Sequence, residues 1–347
     1  MNRLFLFLLL PFALAAQQTQ ARPQQKIPPE QIERELAEAE AQYDHALSLF
    51  NPWYTGPLIT PSATMVPPGS AMWQPYIYFT DNYGAFDEDR KWVDAPNRFI
   101  VQTQPIILQV GVTPSVDTTL IMGTVARWQQ DKFSGGFSDT LVQLGFLVTK
   151  QTLWAPKAKF TVGQSFPTGK YKNLDPSNLG LDGTGIGAYA TTFTLTFGKV
   201  LFWATDHPMN TRLSMGYTVP TSVKVTNFNA YGGGYGTNGT VHPGNSFNID
   251  LGLELSINQP WVAALDLVYN CSNSTSFNGN PGTTTPGGAT PASSTGPFND
   301  QFSLAPAIEY NFNENMGILW GVWFTVYGRN APNFVSGIFS WYWEFPN

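Results

Sequence analysis

The 347-residue chain has one cysteine, Cys271. No disulfide can form within it, so an exported form of this size must rest on burial or on a membrane, not on covalent cross-links. Charge is scarce too: Asp, Glu, Lys and Arg make up 12% of the residues, where soluble domains usually carry about 25%. The net charge of −6 has no basic cluster beside it, which leaves no footprint for nucleic acid. Long apolar runs are also missing. The one continuous run, Leu4 to Ala16, is too short to cross a hydrocarbon core as a helix, which takes about 20 residues.

That run follows Arg3 and ends on the small residues Ala13, Ala15 and Ala16, ahead of a Gln-rich stretch. This is the pattern of a secretory signal peptide, residues 1–16, cleaved after Ala15 or Ala16. No Cys follows the cleavage region, so a lipid-anchored start is not expected. Residues 17–71 then form a helix and linker or plug expected on the periplasmic side, and 72–347 the main domain.

What the chain does have is aromatic residues, at 14%, together with 32 Gly and 27 Pro. Pro28 and Pro29 lead into a stretch where Ile32, Leu36, Ala39, Tyr43, Ala46 and Phe50 recur at steps of four and three. The spacing predicts an amphipathic helix with a narrow stripe. Docking on the rest of the protein is the expected use of that stripe; self-association and a plug in a barrel lumen are the alternatives. NPWYTGPLITPSATMVPPGS is too rich in Pro and Gly for a helix or central strand and reads as a structured linker.

From Met72 the period changes to two. In SFNIDLGLELSI the residues Phe247, Ile249, Leu251, Leu253, Leu255 and Ile257 alternate with polar or small ones, which gives one apolar and one polar face. About twelve such segments begin near Met72, Arg98, Val116, Ser138, Lys157, Ile186, Thr211, Ser246, Trp261, Gln301, Gly317 and Phe334. Their connections alternate between long and short, as in outer-membrane barrels with long outer loops and short periplasmic turns. The fold class is therefore all-β, a closed antiparallel transmembrane barrel of about twelve strands, with the N-terminal helix and the C-terminus in the periplasm. Asn330 to Asn333 is an unusually short outer loop. Pro105 and Pro306 fall inside strands, where bulges are expected, and alternation is poor from Phe99 to Val110.

The chain closes on VSGIFSWYWEFPN, with Gly337, Phe339, Trp341, Trp343 and Phe345 on one face. This resembles the C-terminal signal read by the barrel-assembly machinery, although here Pro346 and Asn347 follow the last aromatic. That machinery, outer-membrane lipids and lipopolysaccharide are the expected partners, along with a small-molecule solute.

Enzymatic chemistry finds little support. The three histidines are His45 on the helix, His207 in a turn and His242 in an outer loop, so no Ser-His arrangement lies on the strands. FPTGKY lacks the spacing and the Ser or Thr of a phosphate loop. Asp175, Asn178 and Asp182 are oxygen donors in a stretch that reads as turn formers. No cofactor, metal or catalytic residue is expected. The loops NAYGGGYGTNGTVHPG and Pro281 to Pro297 are flexible by composition.

Alternation points ten charged residues inward. Asp117 and Arg127 share one strand; Asp139, Lys157 and Lys159 follow on the next two. Arg212, Asp250, Glu254, Asp266 and Glu309 complete the lumen-lining candidates. Mixed signs can line a water-filled path or pair and fill it, and both readings stand.

At NPWYTGPLITPSATMVPPGS, FPTGKYKNLDP, NAYGGGYGTNGTVHPGNSF and LAPAIEYNFNENMGILWGVWF the chain resembles the outer-membrane family labelled for the MetA pathway of phenol degradation. The likeness runs from about Asn51 to the C-terminus. It implies a channel or transporter for small solutes, hydrophobic or aromatic ones among them, and carries no binding-site motif. The alternative is a structural or surface-interaction protein with a sealed lumen.

Overall fold

The computed structural model describes residues 28–49, 52–202 and 205–347; the expected signal peptide lies outside them. Contacts divide the chain into a unit ending at Tyr43 and a second running from Asp44 to Asn347. Helix α1 spans Pro29–Leu49. Proline suits its first turn because the first N–H groups of a helix have no partner within it, and the Pro28 carbonyl accepts from the N–H groups of Gln31 and Ile32. Ile32 and Leu36, two residues of the expected stripe, are exposed.

The second unit is a closed barrel of twelve antiparallel strands. They are β1 (Tyr76–Phe86), β2 (Arg98–Thr113), β3 (Val116–Gln129), β4 (Thr140–Thr149), β5 (Lys157–Phe166) and β6 (Ala190–Leu201). The second half is β7 (Met209–Pro220), β8 (Ser246–Ser256), β9 (Trp261–Ser272), β10 (Asn299–Asn313), β11 (Met316–Arg329) and β12 (Ala331–Phe345). Each strand pairs with its sequence neighbours, and β12 closes on β1 with Phe339 opposite Ile77 and Ser336 opposite Thr80. Closure leaves no free edge to satisfy.

Alternation sorts the two faces. Phe79, Leu144, Phe193, Leu255, Val322 and Phe339 stand exposed on the outside, a solvent-facing apolar wall that only lipid makes favourable. Aromatic contacts cluster at both rims. Trp261, Tyr310, Phe312 and Trp341 pack near the short turns, and Phe99, Trp128 and Phe133 pack near the long loops. Such girdles mark the two interfaces of a membrane barrel. Phe339, Trp343 and Phe345 of the last strand are exposed outward, while Gly337 and Trp341 are half-buried.

The structure departs from the sequence expectations at several points. The first strand is interrupted: Ala71–Trp73 pairs with both β2 and β12, then Pro75 breaks the ladder before Tyr76. A register shift between Thr103 and Ile106 marks the bulge expected at Pro105. It reverses the inward phase of β2, which explains the poor alternation there. Pro306 carries no bulge of its own. It sits in register opposite Leu265, and the β10–β11 ladder shifts instead between Phe302 and Ser303 and between Asn311 and Asn313. The outer connection expected over Asn330 to Asn333 is Asn330 alone, at φ 48° with its side chain donating to the Phe298 carbonyl.

Of the loops expected to be flexible, the first contributes Asn238–His242 to a small three-stranded sheet, and Pro281 to Pro297 is tied in by isolated bridges at Thr283, Pro291 and Gly296. Val223–Thr226, Asn238–His242 and Ser276–Asn280 pair in that order. Ala188, Val223, Val225 and Val241 are buried beneath Tyr171, Tyr231 and Phe277. Alternate residues of these short strands supply an apolar face that the Gly-rich composition obscures.

Candidate functional site

The segment expected to link helix and barrel runs inside the barrel. Residues 52–70 carry Pro52, Pro57, Pro61, Pro67 and Pro68, which bars a regular hydrogen-bond ladder, so the remaining N–H groups need partners from elsewhere. Inward carboxylates of the wall supply them. Glu309 Oε2 accepts from the N–H of Thr55 at 2.8 Å and of Gly56 at 3.4 Å. Asp266 accepts from the N–H of Ile59 and Thr60 at 3.1 and 2.9 Å, and from the Thr60 hydroxyl at 2.5 Å. The Thr55 hydroxyl donates to Asn311 Oδ1 at 2.7 Å, and Asn311 donates to the Trp53 carbonyl.

Glycines shape the surface under this strap. A β-carbon on Gly252 would stand 2.8 Å from Pro57 and 3.0 Å from Thr60; one on Gly321 would stand 2.6 Å from Leu58. Gly317 faces the Thr55 hydroxyl in the same way, and Gly111 faces the carbonyls of Val66 and Pro67. The groove is completed by apolar contact, with Leu58 buried against Ala264, Ala305, Ala307, Leu319 and Ile338.

The ten inward candidates separate into distinct roles. Lys159 pairs with Asp117 at 2.7 Å, both buried, and Gln109 also donates to that carboxylate. Arg212 pairs with Glu254 at 2.8 Å, again buried. Asp266 and Glu309 hold the strap, and Asp250 accepts from Asn248 at 2.7 Å. Lys157 donates to the Thr64 hydroxyl of the strap at 3.2 Å. Arg127 donates to the carbonyls of Gly183 and Leu181 in the loop after β5. Asp139 lies just before β4, where it accepts from the N–H groups of Gly169 and Ile186 at 2.9 and 2.8 Å. It anchors that loop at the long-loop end. Within the loop, Asp175 accepts from Ser177, and Asp182 pairs with Lys170, so these acids act as turn formers.

Sequence reading missed Arg98. It begins β2, two residues before Ile100, which stands opposite Arg127, and it donates to the Gln129 amide oxygen and to the Leu179 carbonyl. The broken phase of β2 hid its inward direction. The glycine groove was also missed, although Gly252, Gly317 and Gly321 all fall on the inward phase of their strands. A further contact joins Ser222 Oγ and His242 Nδ1 at 2.7 Å in the outer sheet, where it is exposed. Among the described hydrogen bonds none joins a carboxylate to that imidazole, so the third member of a hydrolytic set is missing there.

Beside the strap a cavity of about 540 Å³ remains, lined by strap residues and by Gln104, Gln109, Gln143, Thr161, Thr194 and Lys157. A second, of about 580 Å³, opens at the long-loop end beside Arg98, Gln129 and Asn82.

No family model matches the chain and no curated protein matches it, so the family resemblance rests on the sequence motifs. Solved structures do match. The fold is similar to the crystal structure of an outer membrane channel from Pseudomonas putida F1, with TM-score 0.60 and 12% identity over 83% of this chain and 100% of that one. The beta domain of the Bordetella autotransporter BrkA matches at TM-score 0.39 and 9% identity, over 79% of this chain and 100% of that one. The translocator domain of the autotransporter NalP from Neisseria meningitidis matches at TM-score 0.38 and 10% identity, over 91% and 95%. At these identities the likeness is one of fold.

Proposed function

We propose that the protein is an outer-membrane channel for small solutes, with the short turns, the helix and the C-terminus in the periplasm, and with the strap setting the bore. The carrying observation is that the strap fits a groove of inward glycines and is tied to two buried carboxylates, yet a polar cavity of about 540 Å³ stays open beside it. Amides and a lysine line that space, as they line a water-filled path. The lining suits solutes with polar groups better than the hydrophobic or aromatic ones implied by resemblance. The outward face of Phe339, Trp343 and Phe345 fits assembly into lipid and lipopolysaccharide by the barrel machinery.

Planar-bilayer conductance and liposome swelling with the purified protein test this reading. Small discrete openings are expected from the full chain, and larger ones when Trp53 to Val66 is replaced by a short Gly/Ser linker. A barrel that conducts in neither form, with no uptake defect on deletion, overturns it.

A further inference from the structure

The inward charges are sorted by exposure as well as by pairing. Asp117, Asp250, Glu254, Asp266 and Glu309 are all 4% exposed or less. Each is taken by a cation, by an amide or by the N–H groups of the strap. Arg98, Arg127 and Lys157 are half-buried and bonded to neutral oxygens: loop carbonyls, the Gln129 amide and the Thr64 hydroxyl. Carbonyls solvate a guanidinium without cancelling its charge. Between its mouths, the partly exposed charges of the lumen are therefore these cations, while Asp266 and Glu309 are turned under the strap and Asp117 and Glu254 are paired with Lys159 and Arg212.

From this arrangement we infer that the passage selects small organic anions bearing a carboxylate or phosphate, drawn in by Arg98 and Arg127 at the long-loop end and handed toward Lys157. The inference rests on the channel reading above. Arg127 stands opposite Ile100, two residues along β2 from Arg98, and each guanidinium keeps N–H groups beyond those bonded to loop carbonyls and Gln129, the planar donors that grip a carboxylate or phosphate by paired hydrogen bonds. The amides of Gln104 and Gln143 give the anion neutral donors along the cavity. Of the other charges at the loop end, Arg90 pairs with Asp300 at 2.6 Å, Lys91 with Asp89 and Lys170 with Asp182. Glu314 and Glu344 line the short-turn end of the cavity, where the Tyr342 hydroxyl donates to Glu344. An anion at that end meets these carboxylates as well as Lys157, which favours release over tight binding.

Reversal potentials across a KCl gradient in planar bilayers test the inference on the full chain. Chloride permeability should exceed potassium permeability by at least about twofold at ~0.1 M salt and lose most of that preference at ~1 M, where the screening length falls from about 10 Å to about 3 Å. The triple substitution Arg98→Gln, Arg127→Gln, Lys157→Gln should bring the ratio close to unity. The charge-preserving set Arg98→Lys, Arg127→Lys, Lys157→Arg should keep it, and so should Lys224→Gln on the outer sheet. Heat-modifiable gel mobility verifies that each variant is a folded barrel. Independently of any variant, liposomes bearing the unaltered protein should swell faster in gluconate than in a neutral sugar of equal size. Open channels without anion preference overturn the inference and leave the channel reading standing. A preference unchanged in the triple variant overturns the assignment to these residues. Absence of any conductance removes both.

Discussion

The Arg212 guanidinium lies 3.1 Å from where a β-carbon on Gly56 would stand, and Gly56 holds φ +118°. The buried ion pair of Arg212 with Glu254 is thus pressed against a strap position that has no room for a side chain. Gly56→Ala meets both the contact and the backbone conformation, a strain of about 1–3 kcal/mol. Part of the population should then hold the strap out of its groove. Single-channel records should show added openings of higher conductance, and records identical to the unaltered protein would contradict a strap fixed at this point.

The same strap can be loosened from the wall side. Gly252→Ala places a methyl 2.8 Å from Pro57 and 3.0 Å from Thr60, all strap atoms, so the ladder between β7, β8 and β9 should be spared. Asp266→Asn removes the charge from three hydrogen bonds to Ile59 and Thr60; bonds to a charged acceptor contribute about 1.5–3 kcal/mol each. With Cys271→Ser as background, a thiol introduced by Ser62→Cys should react with a polar maleimide several-fold faster in either variant. Equal labelling rates would show that these contacts do not hold the strap.

The barrel was legible because period-two alternation is a direct imprint of lipid outside and polar groups inside. SFNIDLGLELSI became β8 with Asp250 and Glu254 buried inward, as its pattern requires. The strap was not legible in the same way. It is held through its own backbone N–H groups, which leave no trace in residue type, by carboxylates more than 200 positions away. The proline density of residues 52–70 excluded regular structure but gave no direction. Arg98 was hidden by a bulge, since one extra residue at Pro105 reverses the inward phase. The mixed signs of the inward charges were visible in sequence; which of them face water depends on where the strap lies.

Lys159 and Asp117 form an ion pair with side chains 7% and 1% exposed. Breaking it from one side leaves a buried ammonium with no counter-charge, a cost of about 3–5 kcal/mol, whereas replacing both partners removes the charge altogether. Asp117→Asn should lower the thermal midpoint of the barrel markedly, and adding Lys159→Met should recover most of the loss. A double variant as unstable as the single one would mean that Asp117 acts through Gln109 instead, which also donates to it.

Tyr231 ties the outer sheet to the loop after β5, its hydroxyl donating to the Ile186 carbonyl at 2.7 Å. Burial, and then the nearby Asp139 carboxylate, push its phenol from the ordinary value near 10 up to about 12. The folded loops therefore hold this proton more tightly than the unfolded ones. Their stability is unaffected by this group below about pH 10 and declines as pH rises toward 12 and through it. Protease sensitivity of the outer loops should begin to rise in that window. Tyr231→Phe should remove this group's contribution to that rise and instead cost about 0.5–1.5 kcal/mol below about pH 10, the ordinary value of a lost neutral hydrogen bond. A difference titration between the two proteins reads the phenol itself; ionisation centred near 10 would show that the hydroxyl is not buried against Ile186 in the working protein.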